Sequence, residues 1–269
     1  MNHLLTTRKE RKADGQLTVP PAPAPWTLEV ENSWVFPFRV TPSRLDSLLR
    51  ARREDRATAC PSGLGVAMII RYSGSPAGPY DELLFGLPVI SPKLPGEWLT
   101  TRRLPVIYVS SEASLRNGRK NWGIRKELAD FEWSVQPGYL WTTTSVKITD
   151  RITRTTLIEA SFTTFNICIP IHLSIFGKMI PAIVEQQMDE EGELSENREW
   201  LKIRPSGFGL IHFFTTHYGL GWTRPSFISA NRYNASSFPS LRASGALIGV
   251  NLNGILYFPT PDLLRVKQA

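Results

Sequence analysis

Two segments of the sequence carry residue types that can do chemistry. One is the run SLRNGRKNWGIRKELAD at 114–130, which holds five cationic residues and one tryptophan. The other is SGSPAGPYDE at 73–82, a loop rich in glycine and proline that ends in two carboxylates. A lysine in water is protonated and cannot attack a carbonyl, whereas a lysine in an apolar pocket beside a second cation loses its proton and can form a Schiff base. These segments are therefore the candidates for a functional site.

The motif GPYDE, followed further along by NGRKNWGIRK, resembles the acetoacetate decarboxylase-like superfamily. The run NWGIRKELA is similar to that of the fungal members, and the resemblance extends over residues 26–165. The resemblance implies that Lys126 is the Schiff-base lysine and that Glu82 is the carboxylate that supports its pocket. In that family the iminium on the lysine acts as an electron sink, so that a β-carboxylate leaves as carbon dioxide.

Further residues in or near these segments are candidates for substrate binding: Tyr80, Tyr108, Arg119, Trp122, Arg125 and Trp133. The two tryptophans either wall a pocket or fill the core. Asp81 follows Tyr80 and precedes Glu82 in an extended segment, so we expect it to point to the opposite face from Glu82.

The sequence departs from the family pattern at the positions that assist the lysine. Glu127 stands where a second lysine is expected, and a carboxylate that faced Lys126 would favour its ammonium form. Arg125 replaces a common proline, and the pocket arginine and second pocket glutamate of the family fall on Glu31 and Ala67. Lys126 therefore has three interpretations: a surface helix lysine, a pocket lysine that forms no imine, and a working Schiff base.

Strand patterns dominate the rest of the chain. Alternating apolar residues predict strands at 34–40, 64–72, 83–90, 105–110, 131–135, 140–148, 154–165, 208–214, 240–250 and 253–258. Thr41 and Pro42 predict the start of a helix, and the acidic stretch 185–199 predicts a solvated loop or short helix. We expect an α+β fold, mostly antiparallel β with few flanking helices, which the resemblance implies is a closed, cone-shaped β-barrel.

Residues 1–25 are polar and then proline-rich, and they are predicted to form a flexible arm before a single domain at 26–269. The arm has no apolar core of the length that a secretory signal needs. The longest apolar stretch, 167–184, is broken by Pro170 and Pro181, which is wrong for a spanning helix. We therefore expect a cytoplasmic protein without membrane insertion.

Composition and motif content narrow the function further. A chain of 269 residues with 42% hydrophobic residues can bury a core without a metal or disulfide staple. Cys60 and Cys168 lie far apart without CxxC spacing and are expected to be small buried residues. The net charge of +7 is scattered along the chain, so nucleic-acid binding is not expected. Motifs for phosphate, dinucleotide and zinc sites are absent from the sequence, and we expect no cofactor and no metal.

The C-terminal third carries more apolar surface, including Phe208, Trp222 and Phe227, than a small β-keto acid needs. Part of it is expected to line a roomy cavity or the interface of a homo-oligomer. The leading hypothesis is an enzyme of specialised metabolism that binds a bulky polyketide- or terpenoid-derived carbonyl compound. It would promote cyclisation or isomerisation, such as an intramolecular cycloaddition, without a covalent intermediate. The alternatives are a Schiff-base lyase of decarboxylase or aldolase type that uses Lys126, and a non-catalytic carrier of an apolar small molecule.

Overall fold

The computed structural model describes residues 19–40, 63–88, 101–172, 182–195, 199–216 and 248–264. Four strands precede the helix α1 (Glu112–Trp122): β1 (Trp26–Val40), β2 (Gly63–Gly74), β3 (Tyr80–Pro88) and β4 (Thr101–Val109). The strands that follow are β5 (Lys126–Pro137), β6 (Trp141–Asp150), β7 (Thr156–His172), β8 (Ala182–Gln186), β9 (Trp200–Ile203), β10 (Ser206–Thr216), β11 (Ile248–Phe258) and β12 (Asp262–Leu264). The helix expected to start at Thr41 lies outside the described residues.

These strands form one sheet that closes on itself. The sheet is 12-stranded, with the order β12-β9-β8-β4-β3-β2-β1-β11-β10-β7-β6-β5, and a further pairing joins β4 to β5. Its contacts are antiparallel except for those that β4 makes with β5 and β8, which are parallel. The strands from β4 through β1 and β7 to β5 therefore wrap into a ring, with β8, β9 and β12 branching from β4. The predicted fold class, mostly antiparallel β with few helices, is confirmed.

The two faces of the strands β1 to β3 contact different parts of the molecule. On one face Trp34 of β1 stacks on Phe162 of β7 at a centroid distance of 5.3 Å, although β1 and β7 are not neighbours in the sheet. This contact must therefore cross the inside of the ring. On the other face the alternate residues of β2, including Met68, Ile70 and Tyr72, line a cavity. The cavity therefore lies on the opposite face of these strands from the Trp34–Phe162 contact.

Several strand boundaries differ from the prediction, and the strands β8, β9 and β12 were not predicted. β1 begins at Trp26 instead of residue 34, because a register shift between Val30 and Ser33 interrupts the alternation that marks a strand. β5 begins at Lys126 instead of residue 131, because its first residues pair with β4, a contact that no local pattern encodes. A single strand, β11, covers 248–258 where two strands were predicted on either side of Asn251.

Other expectations are corrected. Glu185, expected in a solvated stretch, is buried in β8 and accepts a hydrogen bond from the Leu104 amide. Within the described part of that stretch, residues 187–195 form a loop that is closed by a bridge between Met188 and Leu194. Cys168 is exposed and not buried, and Cys60 lies outside the described residues.

The described end of the proline-rich segment is bound to α1. Ala22 is buried, and its amide donates a 2.8 Å hydrogen bond to Asn117 of the helix. The Asn117 amide donates to the Pro20 carbonyl at 3.2 Å, and Asn121, one turn later, donates to the Ala22 carbonyl at 2.7 Å. Residues 20–22 are therefore held by the helix and are not part of a free arm.

Candidate active site

The helix α1 and the turn after it place Lys126 at the site. Ser111 caps the start of the helix by accepting a hydrogen bond from the Ser114 amide. Gly123 ends the helix with a φ of 65°, a left-handed conformation that glycine adopts without steric cost. The chain thereby reverses, and β5 begins at Lys126 beside the helix that it has just left. Lys126 is a strand residue, so its interpretation as a surface helix lysine is wrong.

The amine of Lys126 is buried in a set of polar contacts. The residue is 4% exposed, and its Nζ lies 2.8 Å from Oε2 of Glu82 and 3.1 Å from Oγ of Ser114. The third neighbour is the ring of Tyr80, whose centroid is 5.4 Å from Nζ, within the range of a cation–π contact. Glu82 is 5% exposed, so the two opposite charges form a buried ion pair.

Gly118 makes room for the lysine on the face of α1. A Cβ at this position would stand 2.7 Å from Cε and 2.9 Å from Cδ of Lys126. Such distances are shorter than van der Waals contact, so any larger side chain would displace the amine. Gly118 lies one helical turn after Ser114, and both are buried. The sequence analysis missed these two residues, although their small size at a spacing of four marks a helix face that packs closely on something.

The alternation along β3 separates the two adjacent carboxylates, as predicted. Glu82 points to the cavity, whereas Asp81 accepts a 3.0 Å hydrogen bond from Nε1 of Trp133 and lies 3.7 Å from Nε of Arg71. Burial raises the pKa of Asp81, against the lowering effects of Trp133 and Arg71. Asp81 therefore belongs to a separate polar cluster on the other face of the strand.

Next to the ion pair lies a cavity of about 440 Å³, a volume within the range of sites that hold drug-sized ligands. Among the described residues that line it, Lys126 and Glu82 are the only charged ones. The remainder are apolar or aromatic apart from Ser206: Trp26, Leu28, Val35, Val66, Met68, Ile70, Tyr72, Tyr80, Leu84, Gly86, Leu104, Ile107, Trp122, Ile124, Ile183, Pro205, Val250, Leu252, Leu256 and Phe258. The cavity is thus an apolar chamber with one polar end.

Two tyrosines belong to that polar end. Tyr72 and Tyr80 face each other across β2 and β3, with ring centroids 4.6 Å apart. Burial, followed by the negative charge of Glu82, raises the pKa of both hydroxyls well above their ordinary value. Both side chains are therefore neutral hydrogen-bond donors across the physiological pH range.

The structure brings together part of the predicted set. Lys126, Glu82, Tyr80 and Trp122 line the cavity. Trp122 also belongs to the core, where its ring meets Trp26 edge-on at 4.9 Å, so both of its predicted roles coincide.

Four predicted substrate-binding residues lie elsewhere. Arg119 donates hydrogen bonds to the carbonyls of Lys126 and Glu191, at 2.7 and 2.8 Å, and so fastens the strand and a loop. Tyr108 is fully buried beside Ile107, but only Ile107 is among the residues that line the cavity. Trp133 binds Asp81, and Arg125 is half-buried; neither lines the cavity. Alternation places Tyr108 and Trp133 on the other face, whereas sequence proximity alone had suggested them.

The residues that depart from the family pattern do not contact Lys126 in the cavity. Glu127 is paired in register with Tyr108, whereas Lys126 is paired with Ile107, so the two adjacent residues point to opposite faces of β5. Burial lowers the pKa of Arg119, and the negative charge of Glu127 acts against that shift. Ala67 and the exposed Glu31 do not line the cavity; the cavity residues nearest in sequence to Ala67 are Val66 and Met68. The carboxylate that meets Lys126 is therefore Glu82.

The described residues contain no group of three or more histidine, cysteine, aspartate or glutamate side chains placed to hold a metal ion. None of their helices is long and apolar enough to cross a membrane.

The fold is thus a closed ring of mostly antiparallel strands, and a buried lysine–carboxylate pair lies beside an apolar cavity. The family model of acetoacetate decarboxylase matches residues 21–164, which is more than half of the chain. The chain belongs to the acetoacetate decarboxylase family.

Solved structures agree with this assignment at the level of the fold. The crystal structure of acetoacetate decarboxylase from Legionella pneumophila subsp. pneumophila superposes with a TM-score of 0.57 at 13% identity, over 97% of this chain and 95% of that one. A second structure, described as a structural study of acetoacetate decarboxylase, gives 0.57 at 12% identity over 96% of each chain. No curated protein matches the chain in sequence.

Proposed function

We propose that this protein is an enzyme that binds a bulky, neutral, apolar carbonyl compound, of the polyketide or terpenoid kind, and promotes its cyclisation or isomerisation. The observation that supports this proposal is the lining of the cavity. Lys126 and Glu82 are the only charged residues among its described walls, and they pair with each other at 2.8 Å. A substrate carboxylate would have to take Lys126 from Glu82 and leave that buried carboxylate unpaired, which is costly. A neutral carbonyl has no such requirement.

The chemistry of such a site follows from shape and hydrogen bonding. An apolar chamber that admits only a folded conformer of a flexible chain removes much of the entropy cost of ring closure. Hydrogen-bond donors at the polar end then polarise the carbonyl, and each donor fixed in a dry site is worth about 10²–10³ in rate. Cyclisation and isomerisation conserve all atoms, so no co-reactant is needed, and Lys126 need not lose its proton.

A suitable probe is a linear vinyl ketone that also carries a conjugated diene, because its intramolecular cycloaddition is slow without a catalyst. The expected result is faster formation of the bicyclic ketone, with a stereoisomer ratio different from that of the free reaction. Met68→Trp, which fills the cavity, should abolish both effects. Ile152→Trp, which adds the same side chain at a position that is 85% exposed, should leave them intact.

An unchanged isomer ratio with the wild-type protein would refute the cyclase proposal. Stoichiometric binding of the ketone without turnover would identify a carrier instead.

A Schiff-base lyase that uses Lys126 is the second candidate, and the contact with Glu82 favours it. At 2.8 Å the carboxylate can take a proton from the amine, which would then attack a carbonyl carbon and expel water to form an iminium. Reduction with borohydride in the presence of the same ketone would convert that iminium into a stable secondary amine. Mass spectrometry of the peptide with Lys126 decides between the candidates: an adduct that is missing in Lys126→Met supports the lyase, and no adduct supports the non-covalent enzyme.

A further inference from the structure

The turn that leads from α1 to Lys126 is closed by Arg119. The carbonyl of Arg119 accepts a 2.8 Å hydrogen bond from the amide of Gly123, the residue at which the helix ends. The guanidinium of Arg119 reaches past the turn, and its Nη2 donates a 2.7 Å hydrogen bond to the carbonyl of Lys126. One residue therefore binds the main chain at both ends of the turn.

The bond to the Lys126 carbonyl is made at the first residue of β5. The strand pairs with β4 from Lys126 onward, whereas its described pairing with β6 begins at Ala129. A hydrogen bond from a guanidinium carries a full charge and is about twice as strong as one between neutral groups. Arg119 therefore holds the strand where β6 does not yet pair with it.

A closed loop holds the other half of the guanidinium. Nη1 of Arg119 donates a 2.8 Å hydrogen bond to the carbonyl of Glu191, in the loop 187–195. Within that loop the carboxylate of Asp189 accepts hydrogen bonds from the amides of Gly192 and Glu193, both at 2.8 Å. A Cβ at Gly192 would stand 3.1 Å from Cζ of Arg119, so the loop also packs against the guanidinium.

We propose that Arg119 is the positioning residue of the site: it fixes the main chain at Lys126 and thereby holds the amine against Glu82 and Ser114. These two partners lie on β3 and α1, so a shift at the start of β5 would disturb both contacts. Arg119 does not line the cavity and acts through Lys126. This inference rests on the proposed function, because it takes the end of the cavity with the amine as the place where the ligand carbonyl binds.

The first test measures turnover of the vinyl ketone probe by the whole protein. Since a displacement of about 1 Å can cost about 100-fold in rate, Arg119→Met should lower kcat by about that factor. KM should change little, because the apolar walls of the cavity are intact. Arg119→Lys keeps a donor for the Lys126 carbonyl and should recover part of the rate.

The matched control for this test is Lys120→Met. Lys120 is the next residue of the helix, and its Nζ lies 2.6 Å from Oε1 of Glu190 in the same loop. Its loss removes a contact between the helix and the loop without removing the bond to the Lys126 carbonyl. Neither kcat nor KM should change.

The second test needs no ligand. Acetic anhydride acetylates accessible lysine amines, and peptide mass spectrometry gives the rate at Lys126 relative to Lys147 of β6. Lys126 is 4% exposed and should react slowly in the wild-type protein. Arg119→Met should raise its relative rate about tenfold, the effect of losing one charge-assisted hydrogen bond. Gly192→Ala should raise it too, because the added Cβ presses on the guanidinium and the φ of 95° strains any residue with a side chain.

The outcomes separate this inference from the proposed function. Unchanged acetylation of Lys126 in Arg119→Met overturns the inference, and so does faster acetylation with an unchanged kcat. If Arg119→Met does not fold, Gly192→Ala replaces it, and the same two results overturn the inference. If the wild-type protein does not convert the ketone, the proposed function fails, whereas acetylation of Lys126 still decides whether Arg119 positions the amine.

Discussion

The buried pair between Lys126 and Glu82 gives the sharpest prediction about stability. Their side chains are 5% and 6% exposed, and Nζ and Oε2 are 2.8 Å apart. Removal of one partner leaves the other charge in an apolar cavity, which typically costs about 3–5 kcal/mol. Lys126→Met and Glu82→Leu should therefore each lower the free energy of unfolding by about this amount. In a chain of this size that corresponds to a fall in Tm of about 6–20 °C.

The double variant carries the decisive information. Apolar residues of similar volume that replace both partners of a buried pair are often neutral or stabilising. The Lys126→Met/Glu82→Leu protein should therefore be close to wild type in urea unfolding followed by tryptophan fluorescence. The matched control is Lys120→Met, which breaks the 2.6 Å pair with Glu190; both of those side chains are well exposed, and no change is expected. Single variants that lose less than about 1 kcal/mol, or a double variant that loses the sum, would refute the assignment of a buried ion pair.

Three further predictions follow from other contacts. Gly118→Ala should reduce both ketone binding and stability, because the added Cβ would collide with Lys126. Alanine is the better helix former by about 1 kcal/mol, so a more stable variant that still binds the ketone would contradict this prediction. Asn117→Ala leaves the Ala22 amide without its acceptor, so it should lower the free energy of unfolding by about 1–3 kcal/mol and speed cleavage by subtilisin near residue 22. The control Asn253→Ala removes a hydrogen bond at an exposed contact and should have neither effect. Burial raises the pKa of Asp81, so its contribution to stability is complete below the ordinary value of 3.8 and is lost as the pH rises through the native pKa. The difference in unfolding free energy between Asp81→Asn and wild type should therefore favour the variant more at neutral pH than at acid pH. An equal difference at the two pH values would contradict the assigned shift.

The sequence predicted the parts of the fold that depend on local pattern. Alternation located most of the strands and put Glu82 and Asp81 on opposite faces of β3, which is what the structure has. The pattern failed where a tertiary contact decides the boundary. The first residues of β5 show no clear alternation, and they become a strand because residues 107–109 of β4 pair with them. Lys126 was for that reason open to interpretation as a helix residue.

The sequence pointed to Lys126, Glu82, Tyr80 and Trp122, which line the cavity, and it missed Ser114 and Gly118, which contact Lys126. The family resemblance singled out Lys126 and Glu82, which meet across 44 positions of sequence. Gly118 and Ser114 contribute space and an oxygen atom; their small size at a spacing of four indicates a closely packed helix face, but it does not indicate that a lysine packs there. Arg119 and Trp133 were predicted from nearness in sequence, but they do not line the cavity, because the side of the element on which a residue lies decides what it contacts.

The energetics of the ion pair bear on why the chain keeps it. A buried salt bridge is weak evidence for stability, because an apolar pair of the same size serves the fold equally well or better. The neighbouring cavity surfaces of β2 and β11, which include Met68, Ile70, Leu252 and Leu256, are apolar. A fold that needed only to fill this space would gain nothing from an amine and a carboxylate. The needs of the fold therefore give no reason for the Lys126–Glu82 pair, whereas the proposed function supplies one.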